Sequence, residues 1–336
     1  MVTKLREIAD QLGLSVATVS RVANNKPNIK DSTRQRVLEA LSENNYVPDN
    51  TARSLKTGRT QTIGVIIPLI TNVRFSYILD GVKDELSKHG YKMLLCVSDA
   101  DANSEDEYMN YLSHNHCDGI ILATVAQDDC AFRQVLGRGK SIVCINNLPN
   151  TSATYDAVIT DNIKASDMAI DYLYGLGHRR VAMIASRQTL TAGRDRLLGY
   201  RRALERLGVP ADENLIKIGN FEESSGYEAM RGLLGDAAGF SAVYVSNASM
   251  TIGAVKAIFD SGKKIPGDIS VVGFDIHDPT GLMQPKITYI SQQNEGIGKY
   301  ACRKLLENIH DPASHAPQTI LLQPDLVIRD SCRSLT

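Results

Sequence analysis

Arg21 can donate two parallel hydrogen bonds to O6 and N7 of a guanine. Val16 and Ala17 share its exposed helix face by spacing, and can touch thymine methyls or permit a close approach to the bases. Thr18, Ser20 and Asn24 carry small polar groups suited to phosphate contacts that fix register. Such chemistry needs a helix seated in the DNA major groove, and the flanking residues predict one. Leu5, Ile8, Ala9 and Leu12 recur at helical spacing. Gly13 supplies a turn, and Ser15 is placed to cap a second helix over Val16–Val22. Val19 and Val22 are expected to face a small core, and a third helix from Asp31 to bury Val37, Leu38 and Leu41. Two short helices across a tight glycine turn make a helix-turn-helix.

The charge is unevenly divided. The chain has 336 residues and a net charge of −1, yet residues 1–60 hold ten Lys/Arg against six Asp/Glu, which gives +4 and leaves −5 for the rest. Positive charge at Arg53, Lys56 and Arg59 is unopposed between Asn50 and Thr60, as phosphate contact would favour. The Asn50–Lys56 stretch is short and lacks a continuous apolar face, so it should not hold a stable helix by itself. It also lacks the Gly/Ser or Pro richness of a plain spacer.

From Thr62 onward the chain alternates apolar runs with amphipathic stretches. The runs are Ile63–Pro68, Met93–Val97, Gly119–Ala123, Ile142–Ile145, Ala157–Thr160, Val181–Ala185, Ala242–Val245 and Ile269–Phe274. Each is short and continuously apolar, as a strand buried on both faces must be. Helical candidates such as Phe75–His89, Asn162–Leu176, Arg196–Leu207 and Met250–Ser261 lie between them, and repeated β-α-β units predict doubly wound parallel sheets of the α/β class. There are too many strands for one comfortable sheet, and a break near Asp161 divides them into two groups.

Other chemistries lack their signatures. No Gly-x-Gly-x-x-Gly follows the first strand, and no Gly-x-Ser-x-Gly elbow occurs. His114-x-His116-Cys117 has no partner cluster for a metal, and the six cysteines form no Cys-x-x-Cys pair, as expected for reduced thiols. No catalytic residue, metal or cofactor is therefore expected. The N-terminus is charged at Lys4, Arg6, Glu7 and Asp10 and does not read as a signal peptide, and the apolar run Ile63–Ile70 is far too short to span a bilayer. The expected setting is cytoplasmic, with no membrane partner.

The motifs, taken in order, carry a specific resemblance. Ile8-Ala9, the run Gly13–Val22, Tyr46-x-Pro48, Ala52-Arg53-Ser54-Leu55, Ile63–Pro68, Arg196–Tyr200 and Val271–Asp275 together resemble a LacI/GalR-type transcription regulator over nearly the whole chain. The resemblance implies an all-α helix-turn-helix head at 1–48, a hinge helix at 49–60, and a two-lobed core like a periplasmic binding protein at 61–336. Its first lobe would take about 61–160 plus 292–320 and its second about 161–291 plus 321–330, with three crossings between them. The hinge would order only on DNA, with Leu55 wedged into a base step of the minor groove and Arg53 and Lys56 near phosphates. The effector cleft implied by the resemblance is lined by Phe75, Asn146, Asp161, Arg196, Phe221, Asn247, Asp275 and Gln292, each at or just after the end of an apolar run or in the loop that follows one. The carboxylates would accept from hydroxyls, Arg196 would donate, and the two phenylalanines would stack on a sugar ring.

Three departures from the family pattern change the charge of that cleft. Asn146-Asn147 stands for the usual Asp-Arg, Asn247-Ala248 for Asn-Asp, and Arg74 precedes Phe75 where neutral or aromatic residues are usual. Fewer carboxylates and an added cation favour a sugar acid or sugar phosphate over a neutral sugar. The expectation is thus an effector-controlled repressor, binding a near-palindromic double-stranded operator as a homodimer, since one head reads only a half-site and no leucine-heptad tail is present to make tetramers. The rival is a sugar-binding protein of the same core fold that does not regulate through DNA.

Overall fold

Contacts divide the chain into two units, residues 1–61 and 62–336. The computed structural model describes residues 2–23, 27–44, 46, 59–114, 116–236, 239–278, 281–282, 284–312 and 316–336.

In the first unit, α1 (Val2–Leu12), α2 (Val16–Ala23) and α3 (Asp31–Glu43) enclose one small core. Gly13 adopts φ +63°, the left-handed conformation that lets α1 turn tightly into α2. Ile8, Ala9, Val19, Val22, Val37, Ala40 and Leu41 are buried together. Leu38 is not among them: it is 50 % exposed. The inward face of α3 is Val37–Ala40–Leu41, and Leu38 lies about 100° further round the helix from Val37.

The second unit has two six-stranded sheets. The first contains β1 (Thr62–Ile67), β2 (Lys92–Val97), β3 (Gly119–Leu122), β4 (Ser141–Ile145), β5 (Asp156–Thr160) and β11 (Thr319–Leu322), in the order β11-β5-β4-β3-β1-β2, all parallel. The second contains β6 (Val181–Ala185), β7 (Ile216–Ile218), β8 (Ala242–Val245), β9 (Ser270–Phe274), β10 (Thr288–Ser291) and β12 (Asp325–Val327), in the order β12-β10-β9-β8-β6-β7, with only β12 antiparallel to its neighbour.

The continuous apolar runs are explained by helices on both faces of each sheet. Ile63, Val65 and Ile67 of β1 pack with α4 (Val73–Lys88) and α11 (Asn294–His310), whereas Ile66 turns to the other face, covered by α5 (Ala102–Ser113) and α6 (Cys130–Gly137). In the second sheet, Ala182 and Ile184 face α9 (Glu223–Gly235) and α10 (Ala248–Asp260), while Val181 and Met183 face α7 (Asn162–Gly175) and α8 (Thr191–Arg206). The α4–α11 contact is unusually close, because a methyl group at Gly298 would lie 2.0 Å from Ile78 O.

The chain crosses between the sheets three times. It leaves β5 at Asp161 for α7, leaves β10 at Gln292 for α11, and leaves β11 after Leu322 for β12. Among the described residues, no helix is long and apolar enough to cross a membrane.

Candidate functional site

The parallel strands of both sheets direct their C-terminal ends at one cavity of about 170 Å³. Residues beyond β1, β4, β6, β7, β8, β9 and β10 contribute to it, from Pro68 through Asn146, Arg187, Phe221, Asn247 and Asp275 to Gln292. A ligand there would sit outside the carboxyl ends of the strands, where open α/β sheets bind.

Four lining residues hold left-handed backbone: Ala100 (φ 58°), Asn146 (φ 69°), Phe221 (φ 76°) and Asp275 (φ 55°). Asn146 and Asp275 each follow their strand directly, and the sharp turn brings the side chain over the strand end. Asparagine and aspartate tolerate this conformation; phenylalanine does so only at a cost of order 1–3 kcal/mol. Such strain persists only where the surroundings enforce it, and here four left-handed residues converge on one cavity.

Asp275 is buried and densely solvated by protein. It accepts from Gln292 Nε2 at 2.9 Å and from Asn294 Nδ2 at 3.0 and 3.1 Å, and His277 Nε2 lies 3.7 Å away. Burial works to raise the pKa of this carboxyl, but the approach of His277, the charge of Arg74 and the Asn294 bond outweigh it, so the group sits below its ordinary value and is ionised. Gln292 also accepts from Thr160 Oγ1 at 2.8 Å, which carries the network to the end of β5 in the other sheet.

Arg196 is buried with its charge held by neutral groups. Nε donates to Asn162 Oδ1 at 2.8 Å, Nη1 donates to Ser246 O at 2.7 Å, and the guanidinium lies over Phe274 at 3.6 Å. Burial pulls its pKa down to about 10, and the like charge of Arg74 adds to that effect. Arg74 is itself only 9 % exposed and lines the cavity instead of pointing to solvent. Its Nη1 donates to Asn146 Oδ1 at 2.6 Å, whereas Nε and Nη2 are buried without a hydrogen-bond partner. Burial lowers the pKa of Arg74 and the nearby Asp275 charge opposes that shift.

Of the nine residues expected at the cleft, Arg74, Phe75, Asn146, Arg196, Phe221, Asn247, Asp275 and Gln292 line the cavity. Asp161 does not: its carboxylate accepts from Lys164 N at 2.9 Å and caps α7. Asn247 does both, capping α10 through Met250 N at 3.0 Å while facing the cavity. Arg187 and Asn147 also line it without having been singled out as site residues. Arg187 stands just beyond the β6 run, the same strand-end position that marked the others, and Asn147 is adjacent to Asn146. Among the described residues, no group of His, Cys, Asp and Glu could hold a metal.

In the first unit, Ser15 Oγ accepts from Thr18 N at 3.1 Å and caps α2. Val19 and Val22 are buried, Val16, Ala17 and Arg21 are exposed, and Thr18 and Ser20 are half-buried at the margin. One helix thus presents an open face with an apolar pair and an arginine. Asn24, Arg53, Leu55 and Lys56 lie outside the described residues.

Residues 4–49 match the family of bacterial regulatory proteins of the lacI type, and residues 170–332 match a periplasmic binding protein-like domain. The chain is 31% identical to the HTH-type transcriptional regulator RegA of Clostridium saccharobutylicum, over 98% of this chain and 99% of that protein. It is 32% identical to the HTH-type transcriptional regulator CelR of Thermobifida fusca, over 97% of each. Among solved structures it resembles a CelR–cellobiose complex at 30% identity and a TM-score of 0.75, covering 97% of this chain and 99% of that one. It shares the fold of the Lac repressor dimer bound to operator and the anti-inducer ONPF, at 24% identity and a TM-score of 0.85, covering 97% of this chain and 98% of that one.

Proposed function

The chain belongs to the LacI family of HTH-type transcriptional regulators, and on that premise we propose that it is a repressor that binds a near-palindromic operator as a homodimer in the cytoplasm and responds to a small carbohydrate-like effector. Its relatives are transcriptional regulators, not enzymes.

The observation that carries the reading is the cavity lined from both lobes, with hydrogen-bonding groups and the Phe75 and Phe221 rings, where the two lobes meet across three chain crossings. A polyol can hydrogen-bond to Asn146, Asn247, Asp275 and Gln292 together, because each keeps a donor or acceptor site beyond the protein bonds it already makes. Binding would fix the lobes in one relative orientation. If residues 49–60 order on DNA, that orientation would set the spacing of two such segments in a dimer, and Leu55 would wedge between base steps. By linkage, whatever the effector does to operator affinity, the operator does to effector affinity.

The direct test is selection of full-length protein against a random duplex library, followed by measurement of the mass of the complex. A near-palindromic consensus occupied by two chains is expected. A non-symmetric consensus, or binding by one chain, would sink the dimeric-repressor reading.

A further inference from the structure

We infer that the cleft is built for an anionic effector, a carboxylate- or phosphate-bearing small molecule whose charged group bridges the lobes between Arg74 of the first and Arg196 and Arg187 of the second. The inference rests on the effector reading above and adds the ligand's charge and the place where it is held.

Three arginines line one small cavity, and among the described residues none of them forms an ion pair with a carboxylate. Arg74 presents Nε and Nη2 unpartnered after giving Nη1 to a neutral amide. Arg196 is anchored by Nε and Nη1 to an amide oxygen and a carbonyl, which leaves Nη2 without a protein acceptor. The Arg187 side chain, exposed at the rim, makes no hydrogen bond among the described residues. Two acidic groups share the lining, Asp275 and Glu222. The Asp275 oxygens already accept from Gln292 and Asn294, and Glu222 is exposed and accepts from Ser224 Oγ at 3.4 Å. The cavity therefore keeps an excess of positive charge, three guanidinium groups against two carboxylates.

A buried guanidinium with two unmet N–H groups is stabilised most by an oxyanion, which can take them as charge-assisted bonds. Asn146 is the neutral residue that keeps Arg74 available: a carboxylate at that position, 2.6 Å from Nη1, would neutralise it internally. Arg74 and Arg196 also repel one another, since the charge of the first depresses the pKa of the second. They come from opposite lobes, so an anion between them would replace repulsion by attraction on both sides and favour closure. The remainder of the ligand would meet Asn247, Gln292 and the Phe75 and Phe221 rings.

The test uses full-length protein and thermal unfolding with inorganic phosphate, acetate, and matched sets of one hexose as the neutral sugar, the aldonic acid and the 6-phosphate. Wild type should be stabilised by at least one anionic probe, and by a charged sugar at a concentration at least about tenfold below that needed of its neutral parent. Arg74→Gln should lose that preference, as should Asn146→Asp, which keeps every side chain near its size. The acid and the 6-phosphate distinguish a carboxylate from a phosphate source. Stabilisation by neutral sugars alone, equal stabilisation by Arg74→Gln and wild type, or no response to any anion would each overturn the inference. The regulator reading is tested apart: operator binding without any anion effect keeps it while this inference falls, and an Arg74-dependent anion effect without operator binding does the reverse.

Discussion

Asn147 Oδ1 accepts from Ala192 N at 3.2 Å, so a side chain just beyond β4 of the first lobe closes the first turn of α8 in the second. Its Nδ2 donates to Thr124 O at 3.3 Å, and alongside it Leu148 N donates to Thr191 Oγ1 at 3.3 Å. The lobes are therefore joined by direct polar contacts as well as by the three crossing segments. Asn147→Ala would leave a backbone donor and a backbone acceptor unpaired in a buried place. The expected cost is about 1–3 kcal/mol in urea-monitored unfolding. An unchanged midpoint would mean that water takes over both groups.

Phe221 offers a test of strain. Glycine occupies φ near +76° freely, so Phe221→Gly should regain most of the backbone cost and melt close to wild type even though a large ring is lost. Ordinary truncation of a packed phenylalanine costs about 3–5 kcal/mol. A loss of that size would show that Phe221 is held for packing, whereas near-neutral stability with weakened ligand protection would show that it is held for the cavity.

Arg21→Ala should leave the melting curve in place, since the side chain is exposed and outside the core of the three helices. Discrimination at a guanine of the selected operator should fall by about 1–3 kcal/mol for each half-site, read by fluorescence anisotropy at fixed salt. A uniform loss on all sequences would instead make Arg21 a phosphate contact.

Acid sensitivity should concentrate at Glu85. Arg303 donates to it through Nε at 3.0 Å and Nη2 at 3.2 Å, and Lys88 Nζ lies at 2.8 Å. Hydrogen bonding from Arg303, then from Lys88, holds the carboxyl at about 2, below its unfolded value. A depressed pKa stabilises the fold above the unfolded pKa and loses that contribution as pH falls towards about 2. Glu85→Gln should therefore be less stable than wild type at neutral pH, and the gap should narrow as pH falls below about 4.5. A gap independent of pH would rule out the charge as its source.

Eight strands were legible as apolar runs, seven of them because both of their faces are covered. The four outside those runs are β7, β10, β11 and β12, of which β7, β11 and β12 are sheet edges and β10 adjoins one; β2, also an edge, was legible because its run Met93–Val97 is unbroken, whereas β11 and β12 carry only three apolar residues in a row. An edge strand needs only part of its surface to be apolar, as Lys217 in β7 and Asp325 in β12 illustrate. At the cleft, Asp161 and Asn247 share one local signature, a polar residue between a strand and a helix that it caps. Only the three-dimensional placement of the strand ends separates the cavity residue from the plain cap. Arg74 was conspicuous by type, but its burial depends on a bond to Asn146, seventy-two positions away. Leu38 and Ala40 both fit a helical stripe, and the packing direction of α3 chose the smaller residue.

The return of the chain to its first sheet has a consequence for synthesis. The cluster that covers one face of that sheet includes Ile297, Ala301, Cys302 and Leu305 of α11, and β11 supplies its last strand against β5. The second lobe is in effect an insertion between β5 and α11. On the ribosome, β1 to β5 emerge early and must wait for some 130 further residues with an apolar face and a sheet edge unsealed. Premature termination between Ser291 and Thr319 would leave most of the second lobe intact and the first one open, an arrangement that invites association through β5.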